Sequence, residues 1–529
     1  MIVASSDVET NLVNSPKVCI IGLDCAAPEL IFELWPDRLP NLRRIMTQGI
    51  YGPLESTTPP ITVPAWMCMM TGKDPGTLGI YGFRNRRDHS YEGLSFASSR
   101  MVQEPALWDV LAEHGKRTIA LGVPLTYPPR PINGLMVTDF LAPNTDSEYT
   151  YPKELAAEIK AVVGDYILDT REFRTEDKAR LLDDIYTMTA QRFQLARHLL
   201  TTKPWDLFVM VEMGPDRLHH AFWKYFDPLH PKYVPGNSYE NAIRDYYVAL
   251  DVQIGELLEA LDEGTQVLIV SDHGAKRMDG GLCFNQWLIQ EGYLILKAEA
   301  LPNTKFSPAL VDWSRTRAWG DGGYYGRLFL NVQGREPHGI VAPEQVEMLK
   351  QELTAKLESL TDPVGRPLGS KVFRPENLYV ACRNVAPDLI VYFGDLHWRS
   401  VGSVGHASIW THENDTGPDD ANHAQFGIFM MTTITRENRG KAVNANSKAE
   451  ESEEGDYLPN RREDLSLYDV APTVLTALGI APPTGMGRHV ISHSSLSADI
   501  PSTNRRDYDA YSEEEEAELA RRLEDLGYL

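Results

Sequence analysis

Cysteine is scarce in this chain. Its 529 residues hold 5, at Cys19, Cys25, Cys68, Cys283 and Cys382. The number is odd, the spacing is irregular and no C-x-x-C pair occurs. A disulfide framework is therefore excluded, and a cysteine zinc site is not expected. Long apolar runs are missing as well: no stretch of about 20 uninterrupted apolar residues exists, so no membrane-spanning segment is expected. The opening MIVASSDVETNLVNSPK has no basic start followed by an apolar core. No signal peptide is expected, and the default is a reduced, cytoplasmic protein. Positive charge is also short. Lys plus Arg is 51 against 74 for Asp plus Glu, a formal charge of −23. Long-range repulsion makes such a chain a poor generic partner for a nucleic acid duplex or an anionic membrane. Internal repeats of about 20–50 residues are absent. What is there, 43% hydrophobic and 24% charged residues, is the composition of a folded protein and not of a disordered or collagen-like chain.

Short apolar, β-branched runs recur and end in polar residues. They are VCIIGLD at 18–24, DLFVMVEMGPD at 206–216, QVLIVSDHG at 266–274, DLIVYFGD at 388–395 and FGIFMMTT at 426–433. None alternates cleanly, which predicts strands buried on both faces of a largely parallel sheet. Helical spacing over 175–200 and 239–262 lies between them, so the chain reads as an α/β sandwich. Gly-rich turns, a strand pair and a helical run set 301–380 apart as an insertion or cap. Residues 1–16 read as a tail. Residues 439–463 are polar and biased, the composition of a flexible surface loop. The catalytic body is expected over 17–300 and 381–495. At 505–529 a helix is expected, capped by Ser512 and Glu515 and ended by Gly527. Its apolar stripe of Leu519, Leu523 and Leu526 would dock on the body or on a second copy, which permits a homodimer without demanding one.

Carboxylates and histidines gather at the ends of the apolar runs. Asp24 closes the first, Asp216 and His220 follow the second in DRLHHAFW, and Asp272 and His273 close the third in SDHG. His423, in DDANHAQFG, directly precedes the last run, with His406 and His412 nearby. In open α/β sheets ligands bind at the carboxyl ends of strands. Each residue alone has a plainer role: an Asp after a strand is commonly a helix cap or turn residue. Together they supply three carboxylates and three imidazoles. That set suits zinc or manganese, and also iron. Six ligands exceed one tetrahedral ion but suit two ions about 3.5–4 Å apart. A nucleophile is available in Thr62, wedged between Pro60 and Pro64 ahead of the helical stretch WMCMMTG. It is either a turn hydroxyl or a group held at a helix start, where free N–H groups attract an anion.

These residues carry a resemblance. The chain resembles the alkaline phosphatase superfamily, in the type I phosphodiesterase/nucleotide pyrophosphatase family, through GLDCAAPEL, TPPITVPAW, TGKDPGTLGIYGF, DRLHHAFW, SDHGAKRMDGG and SLYDVAPTVLTALGIAPP. The resemblance implies a three-layer α/β sandwich with a central mostly parallel sheet and a smaller cap. It implies one metal held by Asp216, His220 and His423, and another held by Asp24, Asp272 and His273, with Thr62 as ligand and nucleophile. His412 is the alternative to His423. Two divalent ions are implied, zinc first and manganese second. The implied reaction is hydrolysis of a small-molecule phosphodiester or pyrophosphate, nucleotide-like in kind, through a phospho-threonine. The alternatives are a phosphomonoesterase, a head-group phosphotransferase or a metal-binding pseudoenzyme. One departure stands out. Relatives often place Asn three residues after the nucleophile, where this chain has Ala65. Lys276, Arg277 and Arg84 are candidates for the missing phosphoryl contact, and equally plain surface charges. Trp66, Trp223, Tyr324 and Tyr325 would line a leaving-group site or simply fill the core. T-V-P-A-W in place of C/S-x-P-x-R excludes a sulfatase.

Overall fold

Strand Val18–Leu23 is buried at all six positions and hydrogen-bonded on both sides. That double burial is why its sequence is apolar without alternation. It lies in a nine-stranded sheet seen in a computed structural model that describes residues 16–436, 460–492 and 511–525. The strand order is Leu465–Ser466, Ile50–Glu55, Phe426–Thr433, Gln266–Val270, Val18–Leu23, Leu207–Glu212, Thr118–Leu121, Gly134–Val137 and Thr150–Tyr151. Most neighbours run parallel, and helices including Lys178–Thr202, Gly214–Phe226 and Ala242–Glu259 accompany the sheet. The α/β class with a mostly parallel central sheet is therefore the fold observed. Among the described residues no helix is long and apolar enough to cross a membrane. The calls at 1–15, at 439–459 and at Leu526 and Gly527 lie outside the described residues.

Register brings the strand ends together. Gly22 pairs with Val211 on one side and Val270 on the other. The segments after Leu23, Glu212 and Val270 therefore leave the sheet at one edge. Strand Phe426–Thr433 runs antiparallel to both of its neighbours. The central sheet is thus mostly, not wholly, parallel. The reversal also explains why a residue before this strand, His423, arrives at the edge that the others reach after theirs.

The run at 388–395 is a correction. Leu389–Tyr392 belongs to a separate antiparallel sheet with Ala318–Asp321, Gly326–Leu330 and Lys371–Phe373. An apolar run reports burial but not which core buries it. Here Leu389, Val391 and Phe393 are buried in a second cluster reaching from Leu282 to Trp398, and Ile390 and Tyr392 in the main core. At the other end of the chain, helix Glu513–Asp525 opens on the expected box: the Glu515 N–H donates to Ser512 Oγ, and the Ser512 N–H donates to Glu515 Oε2. Leu519 and Leu523 are buried against the chain's own main core, and Arg522 donates to the Ala142 carbonyl.

Gly22 is required by packing. A Cβ there would lie 2.4 Å from Trp66 Cη2 and 2.9 Å from the Met210 carbonyl oxygen. Overpacking of this kind costs about 1–3 kcal/mol. Gly22→Ala is expected to lower Tm in thermal unfolding, and an unchanged Tm would contradict the packing argument.

Candidate active site

The six carboxylate and imidazole residues converge, and each is at most 1% exposed, as is Thr62. Their donor atoms form overlapping triads: Asp24–Asp272–His273, Asp216–His273–His423 and Cys25–Asp216–His220, with the atoms of each triad within 4.8 Å of one another. Helix Gly214–Phe226 sets Asp216 and His220 four residues apart on one face. Their Nε2 and Oδ1 atoms are 3.3 Å apart. His423 reaches the group from strand Ala421–Ala424, which pairs with Gly274–Arg277 and so lies beside His273. The two rings stack with centroids 3.8 Å apart. His219, one residue from His220, points elsewhere and meets the Tyr247 hydroxyl at 3.2 Å. His412 is exposed and outside the triads.

Every imidazole is turned the same way. His423 Nδ1–H donates to the Pro60 carbonyl at 2.7 Å, and His273 Nδ1–H donates to the Gly274 carbonyl at 3.1 Å. His220 Nδ1–H donates to Asp419 Oδ1 at 2.8 Å. These bonds turn the three Nε2 atoms inward, the orientation that a metal-ligating histidine needs. His220 Nε2 and His423 Nε2 lie 3.2 Å apart. At that separation a proton held by His220 or a cation bound by both nitrogens satisfies the pair. Asp24 Oδ1, Asp216 Oδ1 and Asp272 Oδ2 are buried and have no hydrogen-bond partner. Unpaired buried carboxylate oxygens are costly without a counter-charge. The donor set and its orphaned oxygens thus fit divalent cations.

The electrostatics agree. Burial, with the charges of Asp272 and Asp216, pushes the Asp24 carboxyl well above its ordinary range. Burial does the same to Asp272. Burial alone would raise Asp216 too, but His220 and Arg217 hold it well below. Burial lowers His273 to about 4 and drives His423 down, with His273 and His220 adding to the effect on His423. Against burial, Asp419 and Asp216 raise His220 to about 9. Positive charge is favoured where the carboxylates meet.

Thr62 opens helix Thr62–Thr71, whose N-cap Ile61 provides no side-chain cap. First-turn N–H groups are therefore left for another acceptor. Thr62 Oγ1 is 3.1 Å from His273 Nε2. Of the expected phosphoryl contacts, Lys276 bonds the Asp395 carbonyl, Arg277 pairs with Asp279 and Asp227, and Arg84 faces Asp321. None of them joins the triads. The basic residue at the site is instead Arg217, which grips Asp216 and makes two bonds to Asp169.

Several residues in direct support escaped the sequence. Asp419 orients His220 and is itself held by Arg174 at 2.7 Å. Only its place four residues before His423 hinted at it. Cys25 sits beside Asp216 and His220 with φ +63°, and its N–H donates to Asp272 Oδ1. Its position next to Asp24 was the available signal. Trp66 donates its indole N–H to Asp24 Oδ2 at 2.6 Å, so this aromatic is a core residue with a polar task. Tyr324 stacks on His220 and His423, with centroids 4.8 and 4.3 Å away. Trp223 and Tyr325 are buried in the main core.

Comparison with known proteins accords with this constellation. The sequence profile described as Type I phosphodiesterase / nucleotide pyrophosphatase matches residues 18–419. The protein is a hydrolase of phosphoric esters. It belongs to the type I phosphodiesterase/nucleotide pyrophosphatase family. Among solved structures it is similar to phosphonoacetate hydrolase from Sinorhizobium meliloti 1021 in complex with phosphonoformate. Identity there is 15%, with 88% of this chain and 96% of that chain covered and a TM-score of 0.54. The phosphonoacetate complex of that enzyme gives 15%, 88%, 96% and 0.53. Human ectonucleotide pyrophosphatase / phosphodiesterase 5 gives 13% identity, 91% and 97% coverage and a TM-score of 0.49. At 15% identity the likeness to the phosphonoacetate hydrolase is one of fold. No curated protein matches the chain in sequence.

Asp419→Asn removes the charge that faces His220 Nδ1. Loss of such a supporting carboxylate is expected to weaken zinc binding about 10–100-fold, measured by competition with a chelator. Unchanged affinity would show that Asp419 does not govern the His220 orientation.

Proposed function

We propose that the chain hydrolyses a small-molecule phosphodiester or pyrophosphate, using Thr62 as nucleophile in a centre for two divalent cations, zinc or manganese. The observation that carries this is Thr62 Oγ1, buried at a helix start and 3.1 Å from His273 Nε2, beside six inward-facing donors. Asp216, His220 and His423 would hold one ion, since their donor atoms lie 3.2, 3.3 and 3.9 Å from one another. Ligands about 2.0–2.2 Å from a tetrahedral ion are spaced in much this way. Asp24, Asp272 and His273 would hold the other, with His273 Nε2 3.1 Å from Asp272 Oδ2 and 3.9 Å from Asp24 Oδ1. When bound, the ions supply Lewis acidity that offsets phosphoryl charge and eases loss of the hydroxyl proton.

The chain's own groups do the rest. Thr62 gives up its hydroxyl proton to water, Oγ1 bonds to phosphorus as the bond to the leaving oxygen breaks, and the leaving oxygen takes a proton from water. Water then cleaves the phospho-threonine, which releases the phosphoryl product and restores the hydroxyl. The free N–H groups of the first turn of helix Thr62–Thr71 face the phosphoryl oxygens, taking the part that Ala65 cannot play.

The test is a paired rate assay on metal-loaded protein, with bis-p-nitrophenyl phosphate against p-nitrophenyl phosphate. Diester hydrolysis is expected to exceed monoester hydrolysis. Thr62→Ala should lower it by at least about a thousandfold while metal analysis still finds both ions. Full activity in that variant would remove Thr62 from the mechanism. Faster monoester cleavage would assign the protein to phosphomonoesterase chemistry instead.

A further inference from the structure

A cavity of about 260 Å³ lies away from the metal-binding triads, and the proposed phosphoryl transfer does not use it. The hairpin of Arg84–Arg86 and Leu94–Phe96 lines it together with the antiparallel sheet of the second core. Part of its lining is aromatic: Tyr91, Trp319, Phe329 and Phe306. Its charged lining is Arg84, Arg86, Lys305 and Arg399 against Asp321 and Asp415. A net positive cavity is notable in a chain of net charge −23. A guanidinium already rests on the rings, with Arg86 5.1 Å from Trp319 and 5.0 Å from Phe329.

Arg399 is the most telling group. It is 2% exposed, yet its one hydrogen bond among the described residues goes to Thr416 Oγ1 at 3.3 Å. Its nearest carboxylates, Asp419 and Asp415, stand 3.8 and 3.9 Å away, and its Nε has no partner. A guanidinium has five N–H donors, and a buried charge is costly unless well paired. Ser400, the next residue on the strand, also lines the cavity and has a buried, unpartnered Oγ. The floor beside them is bare backbone by necessity. A Cβ on Gly322 would meet Gly402 N and the Ser400 carbonyl oxygen at 2.8 Å. The volume is near the lower end for ligand cavities, which run roughly 300–1,000 Å³. It suits one or two fused rings with a small charged substituent.

We propose that this cavity is a binding site for a small planar aromatic anion, with its ring against Trp319 and its charged substituent at Arg399. The site is separate from the phosphoryl-transfer centre but touches its supports. The Arg399 guanidinium lies 5.7 Å from the ring centroid of Tyr324, the residue stacked on His220 and His423.

The experiment is titration calorimetry on metal-loaded protein with 2-naphthalenesulfonate, an anion that is a poor metal ligand. It runs beside 2-naphthol, which has the ring without the charge, and inorganic sulfate, which has the charge without the ring. One equivalent per chain is expected, with the sulfonate bound at least about tenfold more tightly than either fragment. Trp319→Ala and Arg399→Gln should each weaken it about tenfold or more. Lys305→Gln alters an exposed residue, so it keeps the fold while weakening binding roughly two- to fivefold. Thr62→Ala should leave the Kd unchanged, which separates this site from the catalytic proposal. Absence of saturable binding, equal binding of the fragments, an unaffected Lys305→Gln or a shifted Kd in Thr62→Ala would each overturn the assignment.

Discussion

Three carboxylates meet in the interior of this protein, each with one oxygen that no hydrogen bond satisfies: Asp24, Asp216 and Asp272. Buried negative charge of that density is unstable unless something positive is brought to it. Much of the surrounding structure answers this constraint. Three imidazoles turn their Nε2 atoms toward the carboxylates because carbonyls and a carboxylate bind their Nδ1 side. Arg217 takes the second oxygen of Asp216, and Trp66 takes that of Asp24. What is left over is a donor set suited to cations.

The scaffold meets this demand through register. Parallel pairing of Val18–Leu23 with Leu207–Glu212 and Gln266–Val270 aligns their exits within one residue. The helix after Glu212 then sets the spacing of Asp216 and His220, and the tight strand Gly274–Arg277 sets the place of His423. Support extends outward from there. Gly22 leaves space for the Trp66 ring, and Arg174 and Tyr324 hold Asp419 against His220. The smaller sheet contributes Tyr324 from the turn between Ala318–Asp321 and Gly326–Leu330, and its ring is buried in the main core. The smaller sheet thus reaches the larger sheet's edge at the imidazoles.

Much of this was legible in the residues. Apolar runs that end in Asp or Asp-His mark buried strands whose exits carry polar groups, and three such runs were read correctly as members of one sheet. Helical periodicity located Lys178–Thr202 and Ala242–Glu259, and S-x-x-E located the start of the last helix. The run at 388–395 was misplaced because hydrophobicity reports that a strand is buried and says nothing of its partners. Asp419, Arg217 and Cys25 were invisible as supports for the same reason: each acts through a neighbour that is distant in sequence or turned toward it only by the fold.

Sequence alone determined the chemical inventory of this protein and its local geometry. Composition marked a folded, acidic chain. Period and punctuation defined the elements. Asp-x-x-x-His on a helix and a hydroxyl at a helix start are short-range facts, because a helical turn fixes which side chains share a face. Tertiary structure decided what no local rule contains: the antiparallel direction of Phe426–Thr433, the choice of His423 over His412, and the burial of Leu519 and Leu523 on the chain's own body. Those outcomes depend on which surfaces exclude water from one another across hundreds of residues. That is a property of the packed whole and not of any segment within it.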